Sequence, residues 1–162
     1  MKKTRAILLT TALLLFVFCG YSQTVNKRTI TIGGVTLNNT YTFSQFTAIM
    51  GTPNSYISEP SDGGEAIRMT YNSNKFTLLA NKLIIIVLAN NSYKLNGVVG
   101  VGDPIANINL LNPYKLTSKS KGGNQMLYYA FITDADWDKS PIYFYATNGI
   151  ITEIFYTFMD DI

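Results

Sequence analysis

Histidine is absent from this chain of 162 residues, and cysteine occurs once, as Cys19. The chain therefore cannot supply a Ser-His-Asp triad, a histidine general base or an intrachain disulfide. Typical zinc and copper sites are excluded as well, because they draw on imidazole and thiolate ligands. Carboxylate catalysis, Ser-Lys catalysis and the binding of hard cations remain open to this composition.

The first 22 residues have the pattern of a bacterial-type signal peptide. Lys2, Lys3 and Arg5 precede an apolar run over residues 6–18, which is shorter than the roughly 20 residues of a membrane span. Residues 20–22 read small–x–small, which predicts cleavage after the last of them. An uncleaved N-terminal anchor is the alternative.

Cys19 raises the further alternative of a lipoprotein. A lipobox requires a small residue directly before the cysteine and an aliphatic residue three before it, whereas this chain has Phe18 and Phe16 there. We therefore expect an exported protein, periplasmic or extracellular, without a lipid anchor and without a transmembrane span in the mature chain 23–162.

Charged residues are scarce and balanced in the mature chain. The leader carries three of the 13 basic residues and none of the 10 acidic ones, so the mature chain has a formal net charge of zero. A neutral surface exerts no long-range attraction on nucleic acid or on anionic lipid. We therefore expect no nucleic-acid partner.

Two segments of the mature chain repeat one apolar spacing at an offset of 62 residues. Phe43, Phe46 and Ile49 in the first segment correspond to Ile105, Ile108 and Leu111 in the second. Thr42 and Gln45 form a capping box, and Asp103 with Pro104 suits the start of the second segment. Each segment is predicted to form a short helix on an apolar surface, because helices of two or three turns are not stable alone.

Apolar runs after each helix predict strands. The predicted strands are Glu65–Tyr71, Lys75–Leu79 and Leu83–Leu88 in the first half, and Gln125–Ile132, Ile142–Tyr145 and Ile150–Phe158 in the second. Asn148-Gly149 favours a tight hairpin turn. The run 83–88 is apolar on both faces, which indicates either a central strand or an adhesive one.

The order helix, strand, strand, strand thus occurs twice, over residues of about 30–91 and 92–162. It predicts a single α+β domain, residues 23–162, in which two tandem helix-plus-three-strand repeats form one curved antiparallel sheet with two short helices on one face. The chain resembles the β-lactamase-inhibitor-protein-like family, and the segments 42–53 and 103–113 carry this resemblance. The resemblance implies a concave sheet that binds protein, with no catalytic activity.

The second half is rich in tyrosine. Tyr143 and Tyr145 share a strand face, whereas Tyr128 and Tyr129 must point to opposite faces. Tyrosines on an open sheet offer flat contacts of low entropic cost, although ordinary β-propensity explains the same enrichment without a ligand. The candidate binding residues are Tyr128, Tyr143, Tyr145, Tyr156 and the sole tryptophan, Trp137.

Asp134, Asp136 and Asp138 alternate in the segment that contains Trp137. Their spacing matches the first three carboxylate positions of an EF-hand, but Lys139 stands where that loop needs glycine. Two interpretations remain open: a solvated acidic loop, or a weak Ca²⁺ site, with no other cofactor expected. Trp137 in turn either anchors a partner or folds back onto the core.

Three functions follow from these patterns. The leading one is a non-catalytic exported binding or scaffolding protein of the bacterial envelope, which contacts an envelope or extracellular protein through an open sheet face. The alternatives are a carrier or sensor for a small apolar ligand held between sheet and helices, and a hydrolase in which Glu65 and Glu153 form a carboxylate pair.

Overall fold

The computed structural model describes residues 29–132 and 140–158. Within these ranges the chain forms twelve strands in two antiparallel sheets, one α-helix and one 3₁₀-helix. The predicted signal peptide lies outside the described residues. So do Trp137 and the three aspartates of the predicted acidic loop, Asp134, Asp136 and Asp138.

Eight strands form the larger sheet. They are β3 (Ser55–Ser61), β4 (Gly64–Tyr71), β5 (Asn74–Leu79), β6 (Lys82–Leu88), β9 (Lys115–Gly122), β10 (Gln125–Phe131), β11 (Ile142–Thr147) and β12 (Ile150–Thr157). Their spatial order is β3-β4-β5-β6-β12-β11-β10-β9, which is symmetric about the β6–β12 pair. All other neighbours are consecutive in the chain, so β6 and β12 alone join the two halves of this sheet.

Four strands of two residues each form the smaller sheet, in the order β2-β1-β7-β8. They are β1 (Thr31–Ile32), β2 (Val35–Thr36), β7 (Lys94–Leu95) and β8 (Val99–Gly100). Together with the α-helix α1 (Phe43–Met50) and the 3₁₀-helix (Ile105–Leu111), this sheet covers one face of the larger sheet. We call the covered face the inner face.

The core lies between the inner face and these covering elements. Alternation along the central strands directs Phe76, Ile86 and Phe144 inward, and each is at most 1% exposed. The covering elements supply Phe46 and Ile108, both fully buried in the same cluster. Phe46 lies with its ring centroid 5.7 Å from that of Phe76. Period-two alternation along these strands thus separates the inner face from the other face of the sheet.

Helix α1 begins with the predicted capping box. The Gln45 amide donates to Thr42 Oγ1 at 3.2 Å, and the Thr42 amide donates to Gln45 Oε1 at 2.9 Å. Gly51 ends the helix at φ 84°, in the left-handed region that favours glycine. These contacts satisfy amide groups that a helix of eight residues cannot satisfy internally.

The predicted fold class was wrong. The described chain is mostly β, with strands in two sheets, rather than an α+β domain built from helix-plus-three-strand repeats around one sheet. The sequence reading missed β3 and β9, the two edges of the larger sheet, and the four short strands of the smaller one. Side chains of β3 and β9 are exposed on both faces, so neither strand carries the apolar alternation that reveals a half-buried strand.

The second predicted helix is a 3₁₀-helix, and Asp103 does not cap it. The Asp103 carboxylate instead accepts hydrogen bonds from the Gly100 amide at 2.8 Å and from Lys94 Nζ at 3.0 Å. Burial raises the pKa of Asp103, but the hydrogen bonds from Lys94 and Gly100 and the charge of Lys94 outweigh it and hold the pKa below its usual value. Asp103 thus ties the start of the 3₁₀-helix to the smaller sheet.

Replacement of Ala80 by glycine is expected to stabilise the protein by about 0.5–1 kcal/mol. Ala80 and Asn81 turn β5 into β6 with φ of 46° and 67°, and alanine pays a steric cost in the left-handed region that glycine avoids. Urea unfolding of Ala80→Gly and of Ala48→Gly, on the exposed side of α1, measures this. The second variant is expected to lose about 1 kcal/mol, and a loss in both would contradict the argument.

Replacement of Asp103 by asparagine is expected to lower the free energy of unfolding at pH 7 by about 1–2 kcal/mol. Because the folded pKa of Asp103 is depressed, its ionic contribution is present above the unfolded pKa of about 3.9 and is lost as pH falls through the folded pKa. The difference between parent and variant should therefore narrow as the pH falls below the unfolded pKa. Urea unfolding at pH 7 and at a pH below about 3.9 tests this, with Asp62→Asn in the exposed β3–β4 turn as the control.

Candidate functional site

The second face of the larger sheet, which we call the outer face, has a separate set of side chains. Cross-strand pairing aligns one residue from each of the eight strands in a single row on this face: Ser55, Thr70, Lys75, Val87, Phe155, Tyr143, Tyr129 and Thr117. The described helices and the smaller sheet contribute their buried side chains to the inner cluster. Within the described residues, the outer face is therefore the uncovered side of the sheet.

Three aromatic residues at the centre of this row form what we call the aromatic strip: Tyr129, Tyr143 and Phe155. The ring centroids of Tyr129 and Tyr143 are 5.4 Å apart at 66°, and those of Tyr143 and Phe155 are 5.7 Å apart at 43°. All three side chains are half-buried. Since neighbouring strands are about 4.8 Å apart, the strip extends over about 10 Å across three strands.

A second row beside the strip mixes charged and apolar groups. Glu153, Tyr145, Leu127 and Lys119 lie opposite one another on β12, β11, β10 and β9. Leu127 is 4% exposed and is not a member of the core cluster. In this second row the aromatic strip is flanked by the apolar Leu127 and by the charged Glu153 and Lys119.

The structure divides the predicted tyrosines between the two faces. Tyr143 and Tyr145 lie on the outer face, as their period-two spacing indicates. Tyr128 lies opposite Phe144 on the inner face and is half-buried against the core. Tyr156 is 4% exposed in the core, where the Asn38 amide donates to its hydroxyl at 2.9 Å. Tyr128 and Tyr156 are therefore not part of the outer surface.

Two members of the aromatic strip were not among the candidates. Strands β10 and β12 lie on either side of β11. Tyr129 on β10 and Phe155 on β12 both lie opposite Tyr143 and therefore belong to the strip. Period-two alternation within β10 already separates Tyr129 from Tyr128. The place of Phe155 depends on the register of β12 against β11, which includes a shift after Tyr145.

The two glutamates considered for catalysis do not converge. Glu65 lies on the inner side of β4, where its carboxylate accepts a hydrogen bond from Ser58. Glu153 lies opposite Tyr145 on the outer face of β12, and β5 and β6 separate the two strands. No cluster of three metal-ligating side chains occurs in residues 29–132 and 140–158. The predicted Ca²⁺ loop falls outside those ranges.

Two tyrosines away from the outer face, Tyr71 and Tyr93, have raised pKa values. Burial, and secondarily the charge of Tyr93, raises the pKa of Tyr71 to about 12, and burial also raises the pKa of Tyr93. The Tyr71 hydroxyl donates to the Gly51 carbonyl at 2.9 Å and so fastens the end of α1 to β4. Both phenols therefore remain protonated at neutral pH, and their side chains pack against the core.

A shallow groove of about 490 Å³ lies where α1 meets the edge strand β3. Phe43, Tyr56 and Pro53 line it, and the ring centroids of Phe43 and Tyr56 are 4.7 Å apart. Its position at the sheet edge differs from the enclosed space between sheet and helices that a carrier of apolar ligands was expected to use.

Comparisons with known proteins give one structural neighbour. No protein-family model matches the chain, and no curated protein matches it. The chain is similar to an extracellular protein containing an SCP domain from Bacillus anthracis str. Ames, with a TM-score of 0.43 and 14% identity. The match covers 77% of this chain and 44% of the neighbour. A likeness at this score carries no argument about fold or function.

Adjacent residues on β11 are expected to respond differently to truncation. Tyr143→Ala removes two aromatic contacts on the outer face and should cost about 1–2 kcal/mol. Phe144→Ala empties a fully buried site and should cost about 3–5 kcal/mol. Urea unfolding of both variants provides the measurement. Equal losses would show that the outer face is as closely covered as the inner one.

Proposed function

We propose that this protein is a non-catalytic binding module that holds a protein partner against the outer face of its larger sheet. The aromatic strip carries the proposal. Its three side chains remain half-buried on a face that the described covering elements leave open, and neighbouring rings pack against one another. Aromatic anchors of this kind dominate the energetics of protein interfaces.

The strip suits a protein partner for a physical reason. Strand pairing fixes the backbone of Tyr129, Tyr143 and Phe155, and ring contacts restrict their side chains. Binding a partner therefore costs little additional conformational entropy at these residues. Glu153 and Lys119 lie in the row beside the strip, and Lys75 lies two strands from Phe155 with Val87 between them, so charges of both signs are available for a polar rim. An apolar centre with a mixed rim is the usual organisation of a protein interface.

The expected location supports a partner of the cell envelope or the extracellular space. The leader-like pattern of residues 1–22 predicts export. No helix in the described part of the chain is long and apolar enough to cross a membrane. The resemblance to the β-lactamase-inhibitor-protein-like family implies the same kind of use, a sheet face applied to another protein.

The geometry favours the alternatives less. A carrier of small apolar ligands would need an enclosed space between sheet and helices, whereas the groove beside Phe43 and Tyr56 is open and lies at an edge. A carboxylate hydrolase would need Glu65 and Glu153 on one side of the sheet, and they lie on opposite sides. We therefore retain the binding module, without enzymatic activity, as the proposal.

A double variant, Tyr129→Ala with Tyr143→Ala, tests the outer face directly. The parent protein, immobilised and crosslinked to envelope and culture-supernatant extracts of the source organism, is expected to recover one dominant partner. The double variant should bind that purified partner at least about tenfold more weakly in calorimetry, because two anchors are gone.

Leu110→Ala is the matched control. Leu110 is 61% exposed on the 3₁₀-helix, on the opposite side of the molecule, so its truncation should leave the affinity unchanged. Circular dichroism and urea unfolding verify that each variant is folded. If Leu110→Ala lost binding and the double variant retained it, the interface would be on the covering elements. If no partner were recovered, the proposal would be wrong.

A further inference from the structure

The larger sheet ends in two strands that have no further strand beside them within the described residues. Both are long for edges: β3 has seven residues and β9 has eight. An edge strand presents a row of unpaired backbone amides and carbonyls, which is a template for pairing with another chain. Natural proteins usually shorten or cover such edges, or place charged side chains, lysine above all, and proline on them.

Exposed apolar side chains concentrate at these two edges. Tyr56 and Ile57 on β3 are 57% and 61% exposed, and Tyr114 and Leu116 at the start of β9 are 51% and 38% exposed. They are four of the eight large hydrophobic residues that are exposed in the described chain. Pairing of the edges would remove part of this apolar surface from water.

The charges of the two edges are opposite. Lys115, Lys119 and Lys121 are the ionisable residues of β9. Glu59 on β3, with Asp62 in the turn that follows it, makes the other edge acidic, although Arg68 of β4 forms an ion pair with Glu59. Two β9 edges would therefore repel each other, whereas β9 and β3 attract.

Strand direction permits the attractive combination. The eight strands alternate in direction because every neighbouring pair is antiparallel. With an even number of strands, the two edges run in opposite directions. A second copy in the same orientation therefore brings its β3 antiparallel to β9 of the first, with both outer faces on the same side.

We propose that this protein associates with a second copy of itself head to tail, by pairing β9 of one molecule with β3 of the next. Such a contact is heterologous and leaves a free β3 and a free β9 at the two ends, so it extends into an open chain of molecules. The outer faces stay accessible along it. The proposal is therefore independent of which partner binds the aromatic strip.

The side-chain faces restrict the possible registers. Lys115, Thr117 and Lys119 point outward on β9, where they oppose Phe131, Tyr129 and Leu127. Ser55, Ile57 and Glu59 point outward on β3, where they oppose Thr70, Arg68 and Ala66. Antiparallel registers that match both sets differ from one another by steps of two residues, and the proposed one places Glu59 opposite Lys115 and Ile57 opposite Thr117. Opposed Cα atoms in a sheet lie about 4.5–5.5 Å apart, within reach of a disulfide.

Cysteine pairs in a Cys19→Ser background test this register. A chain carrying both Ile57→Cys and Thr117→Cys is expected to form a ladder of covalent multimers under oxidation on non-reducing gels. Mixing the two single variants should give only a dimer that contains one copy of each. Ser118→Cys replaces Thr117→Cys as the matched control, because Ser118 points to the inner face and should not crosslink to Ile57→Cys.

Sedimentation of the uncrosslinked protein gives the second readout. The parent is expected to associate with rising concentration, and Lys115→Glu with Lys119→Glu should weaken that association at least about tenfold. A monomeric parent at all concentrations would overturn the proposal. A dimer formed by Ile57→Cys alone, without a ladder from the double variant, would overturn it in favour of a closed pair of β3 edges.

Discussion

The pairing of β6 with β12 is the contact on which the rest of the sheet depends. Four residue pairs join the halves of the larger sheet: Leu88–Ile154, Val87–Phe155, Ile86–Tyr156 and Ile85–Thr157. On the inner face Ile86, Leu88 and Ile154 are at most 1% exposed, so the seam lies in the middle of the core. On the outer face the same seam sets Val87 beside Phe155. One register therefore positions both the hydrophobic core and the aromatic strip.

The sequence predicts the central strands well because burial leaves a periodic trace in them. Strands β4, β5, β6 and β10 to β12 have at least one buried face, and alternation or continuous apolar runs locate them to within two residues. Strand β9 carries no such pattern because neither of its faces is buried. The second helix is 3₁₀ rather than α, and Asp103 is engaged by Gly100 and Lys94 in contacts that depend on the smaller sheet.

The candidate site was predictable only within a single strand. Period two places Tyr143 and Tyr145 together, and it separates Tyr128 from Tyr129. It does not say which face of the sheet is covered, and so Tyr156 was assigned to a surface although it belongs to the core. Phe155 carries no distinguishing motif, because its role comes from lying beside Tyr143 across the β11–β12 ladder.

The order of strands in the larger sheet also bears on how the chain folds. Six of its seven neighbouring pairs join strands that follow each other in sequence, and only the seam joins distant segments. Each half is thus a meander that forms from local contacts with little loss of chain entropy. Pairing of β6 with β12 must bring Leu88 and Ile154 together across the long segment between them. Because this loop closure costs the most chain entropy, we expect it to be the slowest step in forming the sheet. This topology therefore favours rapid formation of the two meanders, followed by slower pairing of β6 with β12.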